Sequence, residues 1–406
     1  MNIFSKIYCR AFLSVFKWVM PILPYKEPKI LDSVLNIKEV LQEKSITNVL
    51  IVTDKGIRDL NLTQNLEKDL KENNINYFIY DETIPNPTVE NIESAYSLYK
   101  EKECQAIIAF GGGSVMDCAK MVGARVVKPK KSVGKMSGLL KIRKQLPLLI
   151  AIPTTAGTGS ETTITAVITD TNTKRKYTIN DFSLIPHFAV LDETLTLGLP
   201  KHLTSTTGMD ALTHAIEAFI GNSTTKDTRH NALEATRLIF QNIQKAYDDG
   251  SNARARKHLL KASYLAGLAF TKSYVGYVHA IAHTLGGEYH TPHGLANAVI
   301  LPYVLSHYGK AIHTKLKEIA VYCEIAHSYD SESMASSKLI NKILELNEYM
   351  NIPKTFDFIK TEDIPRLSKY ASHEANPLYP VPVLMSAKEL EKIYYKITNY
   401  RINYIL

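Results

Sequence analysis

Four short apolar runs set the tightest limit on how this chain can fold: NVLIVTD (48–54), NYFIYDE (76–82), QAIIAFGGG (105–113) and PLLIAIPTT (147–155). Each is too short for a buried helix, is rich in β-branched or aromatic residues, and stops at a polar or glycine-rich turn. That is the pattern of a strand buried on both faces. Helix-like stretches such as ENIESAYSLYKEKE (90–103) and residues 115–127 lie between them. Strand–helix alternation predicts a parallel sheet covered by helices, with any ligand at the carboxyl ends of the strands. ITAVITDTNTKRKYTI (164–179) reads as a β-hairpin and AVLDE (189–193) as a further strand. From about residue 203 the strand-like runs stop and the periodicity is helical. The boundary is therefore placed near Pro200: a Rossmann-like α/β domain over 1–200, with an apolar extension at 1–27, and an all-α domain over 201–406.

Bulk composition narrows the class. The chain has 406 residues and a formal net charge of +8, too diffuse an excess to argue for nucleic acid. Much of it sits in KPKKSVGKMSGLLKIRK (128–144), which carries seven Lys/Arg and no acid and reads as a solvated loop. Cys9, Cys104, Cys118 and Cys323 form no CxxC pair, which argues against a disulfide scaffold or thiolate zinc site and suits the cytoplasm. The apolar stretch 7–25 is broken by Arg10 and Lys17 and stopped by Pro21 and Pro24, so no transmembrane helix is expected. A short helix packed on the body is the expectation. Weak membrane-surface contact through Phe12, Phe16 and Trp18 is the alternative.

Two turns have the chemistry of a nucleotide site. In AFGGGSVMDCAK (109–120), Gly111, Gly112 and Gly113 let a diphosphate approach backbone N–H groups where a helix begins. The run is not G-x-G-x-x-G, so an ordinary Rossmann fingerprint is excluded. Ser114 and Asp117 also fit a capping box. The turn Thr154-Thr155-Ala156-Gly157-Thr158-Gly159-Ser160-Glu161 offers small residues and hydroxyls after the next strand. Asp54 stands where a carboxylate would take the adenosine ribose and repel a 2′-phosphate, favouring NAD; equally, it can cap the following helix.

The histidines cluster too. GMDALTHAIEAF (208–219) sets Asp210 and His214 one helical turn apart, and HAIAH (279–283) repeats the spacing with His279 and His283. His290 and His293 follow in YHTPHG. Imidazole and carboxylate without thiolate suit Fe²⁺ or Zn²⁺. Spacing alone leaves six candidates where a catalytic ion needs three or four.

GGGSVMDCAK, PTTAGTGSE, GMDALTHAIEAF and HAIAHTLGGEYHTPHGLANAVILPYV, in this order, resemble the iron-containing alcohol dehydrogenase family over roughly residues 28–330. The resemblance implies the fold shared with dehydroquinate synthase, with Asp210, His214, His279 and His293 as metal ligands. It puts His283 beside the ion near the nicotinamide as a proton relay, and His290 outside the ligand set. It further implies that Gly111, Gly112, Gly113 and Ser114 hold the diphosphate and that Thr154, Thr155 and Thr158 line the nicotinamide side. Asn86 and Lys176 become further cofactor contacts. Thr165 departs from the asparagine some members carry there. The expected activity is interconversion of a small primary alcohol or diol and its aldehyde with NAD(H), in a cleft between the domains of a homodimer. The rivals are a zinc-dependent glycerol dehydrogenase-like enzyme, a sugar-phosphate cyclase on the same fold, and a metal-dependent hydrolase using Glu217 as general base.

Overall fold

The computed structural model describes residues 4, 7–11, 13, 14, 23–171 and 175–398. The chain divides into two compact units: Pro24–Gly198, and Met1–Leu23 together with Leu199–Leu406. Among the described residues the strands are β1 (Lys29–Leu31), β2 (Asn48–Val52), β3 (Asn76–Tyr80), β4 (Ala106–Gly111), β5 (Gly138–Leu139), β6 (Leu148–Pro153), β7 (Thr165–Asp170), β8 (Arg175–Asn180) and β9 (Phe188–Val190). Six of them form an all-parallel sheet in the order β1-β9-β6-β4-β2-β3. β5, β8 and β7 make a smaller sheet in which β7 and β8 pair antiparallel, the hairpin expected over 164–179.

The strand sequences explain why this sheet is covered on both sides. Side chains alternate between faces along a strand. Leu50, Val52, Ile107, Ala109, Leu149 and Ala151 enter one core, with Val115, Met116 and Ala119 of the Gly113–Val127 helix. Their neighbours Val49, Ile51, Ala106, Ile108, Phe110, Ile150 and Ile152 enter another, with Leu41, Leu66 and Leu70. Every residue of β4 and β6 is buried. Each large aliphatic side chain so placed contributes about 1.5–3 kcal/mol of transfer free energy, so a polar residue in either face would be costly.

Register then positions the turns. Gly111 of β4 pairs with Pro153 of β6, and β2 lies on the other side of β4. The segments after β2, β4 and β6 therefore start at the same edge, and Thr154 N–H donates to Gly111 O at 3.2 Å. The basic 128–144 segment includes β5; Arg125 ties its start by donating to the carbonyls of Lys128, Pro129 and Lys131.

In the second unit the helix Lys201–Ile220 is buried at every residue from Gly208 to Ile220. It packs against Lys226–Asp248, Ala253–Ser273 and His293–Tyr308, while Tyr277–Tyr289 packs against His293–Tyr308 and Ile364–Ala375. Pro302 inside His293–Tyr308 has no N–H for the carbonyl of Ala298; the Asn347 amide donates to that oxygen instead, at 2.7 Å.

From sequence, residues 1–27 are expected to extend the α/β domain; the described residues 4, 7–11, 13, 14 and 23 fall in the helical unit. Residues 7–11 are helical, Cys9 and Leu13 are buried, and the Arg10 guanidinium donates to the carbonyls of Val381 and Pro382 at 3.1 and 2.8 Å. Phe12, Phe16 and Trp18, the residues of the membrane-surface alternative, lie outside the described residues. Among the described residues no helix is long and apolar enough to cross a membrane, and all four cysteines are free and buried.

Candidate metal centre and nucleotide turns

Three helices deliver the metal-ligand candidates. Lys201–Ile220 carries Asp210 and His214, Tyr277–Tyr289 carries His279, and His293 opens the helix His293–Tyr308. One donor atom from each of the four lies within 4.8 Å of the others. Asp210, His214 and His279 are buried, whereas the His293 side chain is 39% exposed, leaving one side of the cluster open. The approach depends on Gly294, where an added Cβ would stand 2.4 Å from the Thr206 carbonyl oxygen. A side chain there would drive the His293 helix away from Asp210.

The surroundings fit a cation. Glu217 lies on the same helix face as Asp210 and His214. Its Oε2 is 2.7 Å from His279 Nδ1 and accepts from Gly276 N–H at 2.8 Å, while Oε1 accepts from Val278 N–H at 2.8 Å. A carboxylate at Nδ1 keeps the proton on that nitrogen, so His279 Nε2 presents a lone pair. Burial, reinforced by the neighbouring imidazoles, holds the His279 pKa well below its usual value, which favours the neutral ring, the form able to ligate a metal. Burial also pushes Glu217 up to about 7, against the amides that bond it. Gly276 is required here, because a Cβ would lie 2.5 Å from Glu217 Oε1. Asn297, one turn beyond His293, donates through Nδ2 to Asp210 Oδ1 at 2.7 Å and lies 3.2 and 3.1 Å from Nε2 of His279 and His293.

These contacts remove the hydrolase reading. Both oxygens of Glu217 are committed to His279 and two backbone amides in a buried site, so the carboxylate is not free to deprotonate a water. His290 is the left-handed C-cap of Tyr277–Tyr289, with φ 55°, and its N–H donates to Leu285 O. His283 is outside the four-residue cluster; its ring stacks on His293 with centroids 5.3 Å apart.

In the other unit the turns after β4 and β6 interlock. A Cβ on Gly113 would sit 3.0 Å from the Thr158 side chain, and one on Gly111 would sit 2.7 Å from Val115. On Gly112 it would meet only Thr155 Oγ1, at 3.6 Å. Gly112 is the N-cap of Gly113–Val127 and supplies no side-chain cap; the first-turn amides and the helix dipole suit an anion. Asn86, at φ 59°, donates its N–H to Ser114 Oγ at 3.2 Å and accepts from Lys176 Nζ at 2.8 Å. Three residues far apart in sequence thus meet at this helix start. Burial lowers the Lys176 pKa. Asp54 caps the Lys55–Asp59 helix, Oδ1 accepting from Ile57 N–H at 2.9 Å. Thr165 Oγ1 donates to Asn180 Oδ1 at 2.7 Å.

The capping box expected of Ser114 and Asp117 is not formed. The helix begins one residue earlier, at Gly113, which places Ser114 inside it. Asp117 turns inward instead, accepting from Ser160 Oγ at 3.1 Å and Val167 N–H at 2.9 Å. Beside it, fully buried Lys120 donates to Ser160, Thr163 and the Thr165 carbonyl at 2.8–3.1 Å. Burial pushes Asp117 up to about 6 and Glu161 up to about 7, and brings Lys120 down to about 8. This polar cluster clamps the 154–165 turn onto the Gly113–Val127 helix. No local sequence signal marks it, since its two sides lie some forty residues apart.

Comparison with known proteins agrees with this geometry. Residues 31–193 match the family described as iron-containing alcohol dehydrogenase, and residues 204–398 match the C-terminal domain of the same family. Alcohol dehydrogenase 4 of Saccharomyces cerevisiae is 38% identical over 339 residues, covering 83% of this chain and 87% of its own length. A crystal structure of 1,3-propanediol oxidoreductase superposes with a TM-score of 0.88 at 34% identity, covering 92% of this chain and 99% of its own. Sulfoacetaldehyde reductase from Bifidobacterium kashiwanohense, solved in complex with NAD+, gives 0.83 at 26% identity over 93% of this chain and 99% of its own. The chain belongs to the iron-containing alcohol dehydrogenase family.

Proposed function

We propose that this protein interconverts a short primary alcohol or diol and its aldehyde, exchanging hydride with NAD(H), with a ferrous ion held by Asp210, His214, His279 and His293. The observation that carries this reading is the convergence of one carboxylate and three imidazoles, with the His279 tautomer fixed by Glu217. A divalent cation so held supplies positive charge that favours an alkoxide over an alcohol and polarises a carbonyl. Bound NAD(H) would supply the hydride acceptor or donor. The donor set fits zinc as well as iron; membership of the family favours iron, and the NAD-bound relative favours NAD.

The chain's own residues do the positioning. Gly111, Gly112, Gly113 and Ser114 present the helix start to the diphosphate. Thr154, Thr155 and Thr158 offer hydroxyls on the nicotinamide side, and Lys176 and Asn86 offer an ammonium and an amide. Asp54 is the carboxylate for the ribose, and its Oδ1 also caps the Lys55–Asp59 helix. His283 takes the proton released from the substrate hydroxyl. The cytoplasm is the proposed compartment, supported by four free cysteines.

Anaerobic reconstitution with Fe²⁺ or Zn²⁺, followed by elemental analysis and an NADH-consumption screen of short aldehydes, tests the reading. His279→Ala is expected to lose both metal and turnover, and His283→Ala to keep metal and slow turnover. NADH consumption that is indifferent to the ion would overturn the proposal.

A further inference from the structure

His283 is held by a carboxylate that nothing near it in sequence announces. Its Nδ1 lies 2.6 Å from Oε1 of Glu374, a residue of the Ile364–Ala375 helix. The same oxygen accepts the Tyr379 hydroxyl at 2.7 Å. His283 in turn stacks on His293, with the ring planes 18° apart, and lies edge-on to His279 at 6.1 Å. The result is a chain from Tyr379 through Glu374 to an imidazole beside the metal-ligand cluster.

A neutral imidazole carries its proton on either nitrogen, and the two tautomers are close in energy. A carboxylate against Nδ1 accepts N–H there and leaves Nε2 as the acceptor. A second hydrogen bond, from Tyr379, fixes the carboxylate itself. Tyr379 is buried, and burial raises its hydroxyl pKa well above the usual value, so it stays a donor. The His283 and Glu374 side chains are 40% and 35% exposed. A contact so open to water would add only about 0–1 kcal/mol to stability even if both groups were charged. Folding therefore gains little from the contact, while a base whose proton-accepting nitrogen is fixed gains much.

We propose that Glu374 is a positioning residue: it sets the tautomer and ring orientation of His283, and Tyr379 sets Glu374. This rests on the reading of His283 as the group that takes the substrate proton. Removing Glu374 leaves the metal ligands untouched and the imidazole free to turn over or change tautomer. Loss of such an outer partner costs about 10–100-fold in activity.

The test uses zinc-loaded protein labelled with ¹⁵N-histidine, the His283 signals being assigned by their absence in His283→Ala. Long-range ¹H–¹⁵N correlation reads the tautomer directly. Wild-type protein is expected to show His283 protonated at Nδ1, and Glu374→Ala to show mixed or Nε2 protonation with full zinc content. In steady state, kcat should fall about 10–100-fold in Glu374→Ala with the KM for NADH unchanged, and the double variant with His283→Ala should be no slower than His283→Ala alone. Glu374→Gln, of the same shape, guards against misfolding and should fall between. An unchanged tautomer, or a double variant slower by the full product of the singles, would overturn the role of Glu374. Full kcat in His283→Ala would instead remove the catalytic reading of His283, while the tautomer result still decides what Glu374 does.

Discussion

Glu217→Gln isolates the contact that most defines the metal site. The native carboxylate accepts three N–H groups: Val278 at Oε1, Gly276 and the His279 ring at Oε2, at 2.7–2.8 Å in a buried site. Removing it altogether with alanine would leave three buried donors unpaired at about 1–3 kcal/mol each, a sum comparable to the about 5–15 kcal/mol that holds a whole domain folded. Glutamine is gentler. Its better orientation keeps oxygen toward Gly276 and His279 and turns NH₂ toward Val278, which loses one bond, about 1–3 kcal/mol. His279 then faces a neutral acceptor, and weaker fixing of its tautomer costs about 10–100-fold in metal affinity. Isothermal titration with Zn²⁺ against a competing chelator reads the affinity, and urea denaturation of the apoprotein reads the stability. Unchanged affinity and unchanged stability together would refute the claim that Glu217 orients His279.

Gly294→Ala places a methyl group 2.4 Å from a backbone oxygen; overpacking of about 1–3 kcal/mol should lower thermal stability, and moving His293 should weaken metal retention after dialysis against chelator. Glu161→Gln probes the buried cluster. Burial pushes this carboxyl up to about 7 from 4.5, so the folded state holds a proton that the unfolded chain releases. Its contribution is present at low pH and is lost as pH rises from about 4.5 to 7, by up to about 3 kcal/mol at 1.36 kcal/mol per pH unit; the variant should flatten that slope in denaturant titrations. Asp54→Ser keeps a helix cap but removes the charge. The ratio of kcat/KM for NADPH to that for NADH should rise about tenfold, the effect of about 1.4 kcal/mol of relieved repulsion, and an unchanged ratio would take Asp54 out of the cofactor site.

β2, β4 and β6 were legible because burial on both faces demands apolar residues at nearly every position, whereas β3, read the same way, is the partly buried edge strand. The hairpin was legible from its alternation. One-turn spacing paired Asp210 with His214 and His279 with His283, but spacing alone left six candidates with His290 and His293; choosing four of them took the family resemblance. Ser114 and Asp117 mislead because a Ser-x-x-Asp spacing satisfies a local rule, while a buried Lys120 and a serine forty residues away claim the aspartate for a non-local one. Glu217 reads from sequence as a base because its spacing from His214 marks a shared helix face. Only the fold brings Tyr277–Tyr289 against it and turns the carboxylate into the partner of His279. Glu374 had no local signal at all, since it lies 91 residues from His283.

The most direct measurement is anomalous diffraction from anaerobically grown, iron-loaded crystals, collected on both sides of the iron edge. A single anomalous peak bound by three imidazole nitrogens and one carboxylate at about 2.0–2.2 Å, from His214, His279, His293 and Asp210, is the expected result. A peak held by other residues, or one coordinated by His283 in place of any of the four, would contradict it.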